Sequence, residues 1–227
     1  MTYVIDPPRQ AALAIEGSKE LFPVHRIYCI GRNYAEHAKE MGHDPNKEPP
    51  FFFQKNPDNL RTDGLFPYPS GSKNVHFEIE LIVALKSGGT NIEAKDALSH
   101  VWGYGVGLDM TRRDLQNAAK NLGRPWEVGK AFEHSAPSTA LFPASKIGHP
   151  TKGAIWLDVN GVRKQDSDID QMIWDVPNQI AFLSQLWTLQ AGDIIMTGTP
   201  SGVGAIVKGD KLHGHVDGVG DLRVDVT

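Results

Sequence analysis

The clearest strand in this sequence is VHFEIELIVAL, residues 75–85. Alternate side chains of a strand point to the same face, which predicts that His76, Glu78 and Glu80 project together, away from the apolar residues between them. The strand continues into the apolar run 81–85, which predicts that this end is buried. Two carboxylates on one face, about 7 Å apart along the backbone, can converge on a single divalent cation. The alternative is that this face meets solvent in an antiparallel sheet.

A third carboxylate, Asp109, ends another apolar strand, predicted at residues 101–110. Carboxylate oxygens favour hard cations such as Mg²⁺, Mn²⁺ or Ca²⁺. Glu78, Glu80 and Asp109 are therefore candidate ligands of an octahedral ion, with water or substrate in the other positions.

The rest of the sequence predicts a β-rich chain with short helices, because 23 glycines and 15 prolines imply frequent turns. Gly103, Gly105 and Gly107 alternate along their strand, which indicates that another segment packs closely against that face. The pair Asn160-Gly161 predicts a hairpin turn. Helices are predicted at residues 32–42, 111–123 and 178–187, and further strands within 11–30, at 51–55, within 154–165 and at the start of 194–204.

Composition favours a cytoplasmic protein without nucleic-acid or membrane partners. The 227 residues suffice for one domain, and the net charge of −4 comes without any basic patch. The single cysteine, Cys29, excludes an internal disulfide and is interpreted as a small buried apolar residue. No signal peptide is recognisable at the N-terminus, and the longest apolar stretch is too short to cross a bilayer.

His37 and Glu40 are spaced i, i+3 on the predicted helix 32–42, so their side chains can touch. A glutamate beside a histidine orients the imidazole and raises its basicity, which suits a general base acting on water. The alternative is an exposed helical face. A loop with a double proline follows the helix, and together they predict a lid over residues 32–50.

The glycine-rich stretch 197–204 predicts a loop with free backbone N–H groups, which can bind an anion or simply serve packing. The sequence has no Gly-x-Ser-x-Gly elbow and no His/Cys zinc spacing. The residues alone thus favour a hard-metal carboxylate site with a histidine base nearby, and they do not name a reaction.

Seven segments carry a family resemblance: IGRNYAEHAKEMG, PPFFFQK, VHFEIELIVAL, GYGVGLDMTRRDLQ, GRPWEVGKAFEHSAP, VNGVRKQDSD and GDIIMTGTPSGVG. In this order, within residues 27–204, they resemble the fumarylacetoacetate hydrolase superfamily, in particular its short single-domain branch of acylpyruvate hydrolases. The resemblance implies an α+β, β-rich fold, a mixed β-roll or sandwich with short helices. It also implies a single catalytic domain over residues 1–227 and a homodimer.

The resemblance assigns roles to individual residues. It implies that Glu78, Glu80 and Asp109 bind Mg²⁺ or Mn²⁺, and that His37 and Glu40 form a catalytic pair on the lid. Lys130 would stabilise the enolate. The residues that would contact the substrate are Arg32, Tyr34, Lys55, Arg113, Gln116 and Thr199.

The implied reaction is hydrolysis of the C–C bond next to the pyruvoyl group of a 2,4-dioxo acid, with fumarylpyruvate favoured on family grounds. In this hypothesis His37, oriented by Glu40, deprotonates a water that attacks the distal carbonyl, and Lys130 stabilises the enolate that leaves. Turnover of fumarylpyruvate would place the enzyme in aromatic-acid breakdown. Alternatives are an oxaloacetate decarboxylase, a 2-hydroxymuconate-type isomerase or decarboxylase, and a non-catalytic divalent-cation-binding protein. The histidine–glutamate pair favours hydrolysis, because decarboxylation needs no activated water.

Overall fold

The computed structural model describes residues 2–40 and 49–227, without the side chains of residues 38–40. Its strands are β1 (Ala12–Ala14), β2 (Leu21–Pro23), β3 (Ile27–Gly31), β4 (Phe51–Lys55), β5 (Leu60–Arg61), β6 (Leu65–Phe66), β7 (Val75–Phe77), β8 (Ile79–Leu85), β9 (Val101–Leu108), β10 (Thr111–Arg112), β11 (Ala136–Pro137), β12 (Phe142–Pro143), β13 (Ala154–Val159), β14 (Val162–Asp168), β15 (Ile194–Met196), β16 (Gly204–Ile206), β17 (Lys211–Val216) and β18 (Gly220–Val226). Its α-helices are α1 (Ala35–Glu40), α2 (Ala94–Ala97), α3 (Arg113–Asn121), α4 (Glu127–Lys130), α5 (Ala144–Ile147) and α6 (Val176–Leu186).

Two mixed sheets form the body of the fold. A six-stranded sheet has the order β12-β9-β8-β15-β3-β4, and a five-stranded sheet has the order β14-β13-β17-β18-β6. Strands β8 and β9 of the first sheet pack against β13, β17 and β18 of the second, and the main apolar core lies between them. The predicted β-rich α+β architecture is confirmed.

A second apolar cluster covers the other face of the six-stranded sheet, with Leu13 and Phe22 packed against Cys29, Ile82 and Met196. Strand β8 is therefore buried on both faces, which explains its continuous apolar run. Each large aliphatic side chain buried in this way contributes about 1.5–3 kcal/mol to folding. The prediction that Cys29 is a buried apolar residue is confirmed, and burial raises the pKa of its thiol.

The prediction of one continuous strand over residues 75–85 was wrong, because the strand breaks at Glu78. Strand β7 belongs to a three-stranded sheet of order β10-β7-β16, and β8 begins one residue after the break. The N–H of Ile79 donates to the side chain of Gln165 at 3.0 Å instead of to a neighbouring strand. His76 consequently lies in a different sheet from Glu80, and its Nε2 is 3.0 Å from Oδ1 of Asn74.

The alternating glycines of β9 have the close neighbours that the sequence predicted. A Cβ at Gly103 would lie 2.3 Å from the carbonyl oxygen of Phe142, and one at Gly107 would lie 2.6 Å from Ile82. The hairpin turn is also confirmed, since Asn160 and Gly161 have φ values of 53° and 78° between β13 and β14.

Helices α1 and α6 begin at other residues than predicted, and local structure explains both differences. Arg32 has a φ of 59°, a left-handed conformation that does not continue into a helix, and α1 begins at Ala35. Helix α6 begins earlier than predicted, at Val176, because the Asp175 carboxylate accepts the N–H of Asn178 as an N-cap. Among the residues described, no helix has both the length and the apolarity that a membrane crossing requires.

Candidate metal centre and active site

Three carboxylates meet where β8 and β9 lie side by side. Glu78 occupies the break before β8, Glu80 lies on β8, and Asp109 follows β9 directly. The antiparallel register pairs Ile79 with Leu108, and the N–H of Asp109 donates to the carbonyl of Glu78 at 2.9 Å. All three side chains are buried, and one oxygen from each lies within 4.8 Å of the others. The predicted ligand trio is thus assembled by the strand register.

Lysine and arginine side chains surround these carboxylates. The ammonium of Lys130 lies 2.6 Å from Oε2 of Glu78 and 2.6 Å from Oδ2 of Asp109. Arg113 donates to Oε1 of Glu78 at 2.5 Å, and the ammonium of Lys55 lies 2.8 Å from Oδ1 of Asp109. Three cations therefore contact two of the three carboxylates, Glu78 and Asp109, in a buried cluster where unpaired charge is costly.

The pKa values of Glu78 and Glu80 are shifted in opposite directions. Burial by itself would raise the pKa of Glu78, but the charges of Lys130 and Arg113 outweigh it and hold that pKa well below the usual value for a glutamate. Glu80 has a raised pKa because it is buried and faces the charges of Asp109 and Glu78. Glu78 is thus neutralised by its neighbours, whereas Glu80 lacks a matching cation.

This imbalance provides a test of whether the trio fits a metal ion. Glu80 accepts a 2.8 Å hydrogen bond from the N–H of Gly198, which does not offset the repulsion. Oδ1 of Asp109 receives no hydrogen bond from the described residues, since the nearby Lys55 ammonium lies outside hydrogen-bonding geometry. A divalent cation would supply the missing charge and satisfy free carboxylate oxygens. The donor set therefore fits a hard cation.

The side chain of Lys130 is 2% exposed at the end of α4. Burial disfavours its charged form, but Asp109 and Glu78 outweigh this effect and raise its pKa. Lys130 therefore remains an ammonium and a hydrogen-bond donor inside the cluster.

His37 projects from α1 into the same cavity, and its charge is among the influences that lower the pKa of Glu78. Its side chain is 6% exposed. The side chain of Glu40 and residues 41–48 of the predicted lid lie outside the described residues. The pairing of His37 with Glu40 and the lid therefore stay predictions.

A cavity of about 30 Å³ opens above the carboxylates. That volume holds an ion or a water, so binding of a larger molecule requires side chains at the mouth to move. Of the residues predicted to contact substrate, four line this cavity: Arg32, Arg113, Gln116 and Thr199.

The structure places the other two predicted substrate residues away from the cavity lining. Lys55 lies beneath the carboxylates, where its ammonium also donates to Ser135 Oγ at 3.0 Å and to the carbonyls of Met110 and Lys130. Tyr34 lines a separate pocket beside Pro200, and its hydroxyl has no hydrogen bond among the described residues. Burial, with the charge of Glu80, raises the pKa of Tyr34.

One wall of the cavity is aromatic, and it was not predicted from the sequence. Phe51 and Phe53 lie on β4, and their ring centroids are 5.2 and 6.0 Å from that of Trp126. The guanidinium of Arg32 lies 5.1 Å from the Phe51 ring, and the ammonium of Lys130 lies 4.9 Å from the Phe53 ring. The alternation of Phe51, Phe53 and Lys55 along one strand was a usable signal for part of this wall. Trp126 carried none.

A buried glutamine fixes the loop that follows β15. The side chain of Gln165 donates to Thr199 Oγ1 and to the carbonyl of Pro200, both at 2.8 Å. The loop predicted to bind an anion thus holds Thr199 at the cavity. The N–H of Gly198 in this loop donates a hydrogen bond to the Glu80 carboxylate.

Fold and site together define a β-rich protein with a buried hard-cation carboxylate centre and a histidine at its cavity. The chain belongs to the fumarylacetoacetate (FAA) hydrolase C-terminal family, whose sequence model matches residues 26–227. The family resemblance seen in the sequence is confirmed.

Similar proteins include a hydrolase and a decarboxylase. A fumarylpyruvate hydrolase of Ralstonia sp is 42% identical over 184 residues, 81% of this chain and 95% of the relative. A mitochondrial oxaloacetate decarboxylase of Dictyostelium discoideum is 39% identical over 204 residues, 88% of this chain and 93% of the relative. The crystal structure of fumarylpyruvate hydrolase from Pseudomonas aeruginosa, in complex with Mn²⁺ and pyruvate, is 50% identical with a TM-score of 0.97. The superposition covers 100% of this chain and 99% of that one.

Proposed function

We propose that this protein is a metal-dependent hydrolase of acylpyruvates that converts fumarylpyruvate to fumarate and pyruvate. The observation that carries the proposal is the buried trio of Glu78, Glu80 and Asp109 with Lys130 and His37 at one cavity. The similarity to two fumarylpyruvate hydrolases, one crystallised with Mn²⁺ and pyruvate, supports the substrate class.

Glu78, Glu80 and Asp109 are the residues that would hold Mg²⁺ or Mn²⁺. When bound, the ion supplies Lewis acidity and positive charge at the 2-oxo acid end of the substrate. Arg113 and Gln116 are joined by a 2.6 Å hydrogen bond on the cavity side of α3, where their remaining donors can orient a carboxylate.

His37 is proposed to remove a proton from the water that attacks the distal carbonyl carbon. The C–C bond to the pyruvate unit then breaks, and the pyruvate enolate leaves and takes up a proton. General-base assistance of this kind contributes roughly 10²- to 10⁴-fold to a rate. Lys130, held as an ammonium at the cavity, donates to the oxygen on which negative charge develops.

Oxaloacetate decarboxylation is a second candidate, because a relative 39% identical to this chain bears that name. Both reactions release pyruvate through a stabilised enolate. Hydrolysis alone needs an activated water, and His37 at the cavity favours it.

The experiment compares pyruvate release from fumarylpyruvate, acetylpyruvate and oxaloacetate after EDTA treatment and again after Mg²⁺ or Mn²⁺ is restored. We expect metal-dependent turnover that is fastest with fumarylpyruvate, which would also support a role in aromatic-acid breakdown. Turnover of oxaloacetate alone would favour the decarboxylase. Metal-dependent stability without any turnover would favour a non-catalytic cation-binding protein.

The proposal includes a homodimer in the cytoplasm, on grounds of family resemblance and composition. Light scattering coupled to size exclusion tests the first point, since a dimer has twice the mass of the single chain. Fractionation of cells from the source organism tests the second.

A further inference from the structure

Helix α3 presents three polar residues to the cavity. Arg113, Gln116 and Lys120 follow one another at i, i+3 and i+7, which places them on one face of the helix. All three line the cavity, and Arg32 lines it from the turn after β3. The sequence pattern did not single out Lys120, although its spacing from Arg113 and Gln116 was visible.

Lys120 has no matching anion among the side chains that the structure describes, those of residues 2–37 and 49–227. No hydrogen bond or ion pair to its half-buried ammonium is found there. Burial lowers the pKa of Lys120, and the positive charges of Arg32 and Arg113 lower it further. Like charges gathered at a cavity repel one another, so this mouth favours an anionic occupant.

The carboxylates of Glu78 and Asp109 do not serve as the anion for Lys120. Glu78 and Asp109 are each in contact with the Lys130 ammonium, and Glu78 is also bound by Arg113. These two carboxylates are already paired with buried cations. Among the described residues, no carboxylate is paired with Lys120, so a bound anion is a fitting partner for it.

The position of Lys120 suits the far end of an extended substrate. Seven residues of helix separate it from Arg113, about 10 Å at 1.5 Å per residue. A seven-carbon chain with a carboxylate at each end contains six C–C bonds of about 1.5 Å. A substrate with one carboxylate near Arg113 can therefore bring the other within reach of the flexible Lys120 side chain.

We propose that Lys120 is a specificity-determining residue, which binds the carboxylate at the distal end of the acyl group and so favours dicarboxylic over monocarboxylic acylpyruvates. The proposal rests on the proposed function, since it assigns part of the same substrate. It adds a binding site for the distal carboxylate, which takes no part in bond cleavage.

The test compares kcat/KM for fumarylpyruvate, which has the distal carboxylate, with kcat/KM for acetylpyruvate, which lacks it. We expect Lys120→Met to lower kcat/KM for fumarylpyruvate about tenfold or more, mainly through KM, because a charge-assisted hydrogen bond is lost. The value for acetylpyruvate should stay within about twofold. Lys120→Arg should restore most of the preference.

Arg124→Gln is the matched control, since Arg124 is exposed just beyond α3 and does not line the cavity. It removes one positive charge and should leave the ratio of the two substrates unchanged. An equal loss on both substrates in Lys120→Met, or no loss on either, would overturn the proposal.

A direct binding measurement separates this proposal from the proposed function. Calorimetry on the Mn²⁺-loaded His37→Ala protein gives the affinities for fumarylpyruvate and acetylpyruvate without interference from hydrolysis. A preference for the dicarboxylate that disappears when Lys120→Met is added supports the role of Lys120 even if the wild-type protein shows no turnover. Equal affinities of His37→Ala for the two molecules would contradict it.

Discussion

The backbone N–H of Gly198 donates a 2.8 Å hydrogen bond to Oε2 of Glu80. Gly198 has a φ of 94°, and a Cβ there would lie 2.7 Å from the Cβ of Asn33, so the position requires glycine. The loop after β15 is thereby drawn onto a carboxylate that its neighbours repel. Without a cation beside it, an ionised Glu80 would be held there at a cost in stability.

Replacing that carboxylate should stabilise the metal-free protein. The pKa of Glu80 in the folded protein is raised above the ordinary glutamate value of 4.5, so its contribution to metal-free stability is most favourable below about that pH. It falls as the pH rises toward the folded-state pKa, because ionisation is unfavourable only in the folded chain. Glu80→Gln should remove this loss and give a higher Tm in EDTA near neutral pH.

We expect Mn²⁺ to raise the Tm of the wild-type protein, and the same substitution should abolish that rise. Thermal denaturation of both proteins, with EDTA and with Mn²⁺, measures the two effects together. The exposed Glu20→Gln should change neither. A lower Tm of Glu80→Gln in EDTA would contradict the repulsion inferred for this carboxylate.

His37→Ala should lower kcat for fumarylpyruvate by roughly 10²- to 10⁴-fold, because it removes the proposed base. Its affinity for Mn²⁺ should stay within a few-fold of the wild-type value, since His37 is outside the ligand trio. Steady-state kinetics and a Mn²⁺ titration followed by electron paramagnetic resonance measure the two quantities. Turnover retained in this variant would eliminate His37 as the base.

The ligand trio could be predicted from the sequence because two short-range patterns encode it. Glu78 and Glu80 are two residues apart beside a buried strand, and Asp109 ends a second strand. The break at Glu78 was not predictable, since it depends on Gln165, 86 residues farther along the chain, taking the N–H of Ile79. The alternation of polar and apolar residues along the strand does not indicate this contact with a distant residue.

The surroundings of the trio depend on contacts between distant segments. Lys55 was expected to touch substrate, yet the fold places its ammonium beneath Asp109. Trp126 precedes α4, and it reaches the cavity only because that helix packs against β4. Such packing across the fold has no periodic signature in the sequence, whereas the helical spacing of Arg113, Gln116 and Lys120 does.

Lys55→Met should destabilise the protein by about 3–5 kcal/mol, because it leaves the buried Asp109 without one of its cations. The Lys55 side chain is fully buried and that of Asp109 is 1% exposed. Urea denaturation of the metal-free protein measures the loss. The control is Lys211→Met, whose partner Asp225 lies 3.1 Å away at the surface, and which should cost at most about 1 kcal/mol. Equal losses in the two variants would contradict the buried pairing.

Gln165→Leu should affect both stability and substrate binding, because Gln165 joins β14 to the loop that carries Thr199. The leucine leaves the N–H of Ile79 and the carbonyl of Pro200 unpaired, at about 1–3 kcal/mol for each group. Thr199 also loses its 2.8 Å hydrogen bond, so KM for fumarylpyruvate should rise in the fraction that remains folded. Urea denaturation and steady-state kinetics at a temperature well below Tm separate the two effects. Gln171→Leu is the matched control and should change neither quantity. The Gln171 side chain is exposed, and its one hydrogen bond among the described residues is to Asp170. A stable Gln165→Leu protein with an unchanged KM would show that the loop is positioned without this glutamine.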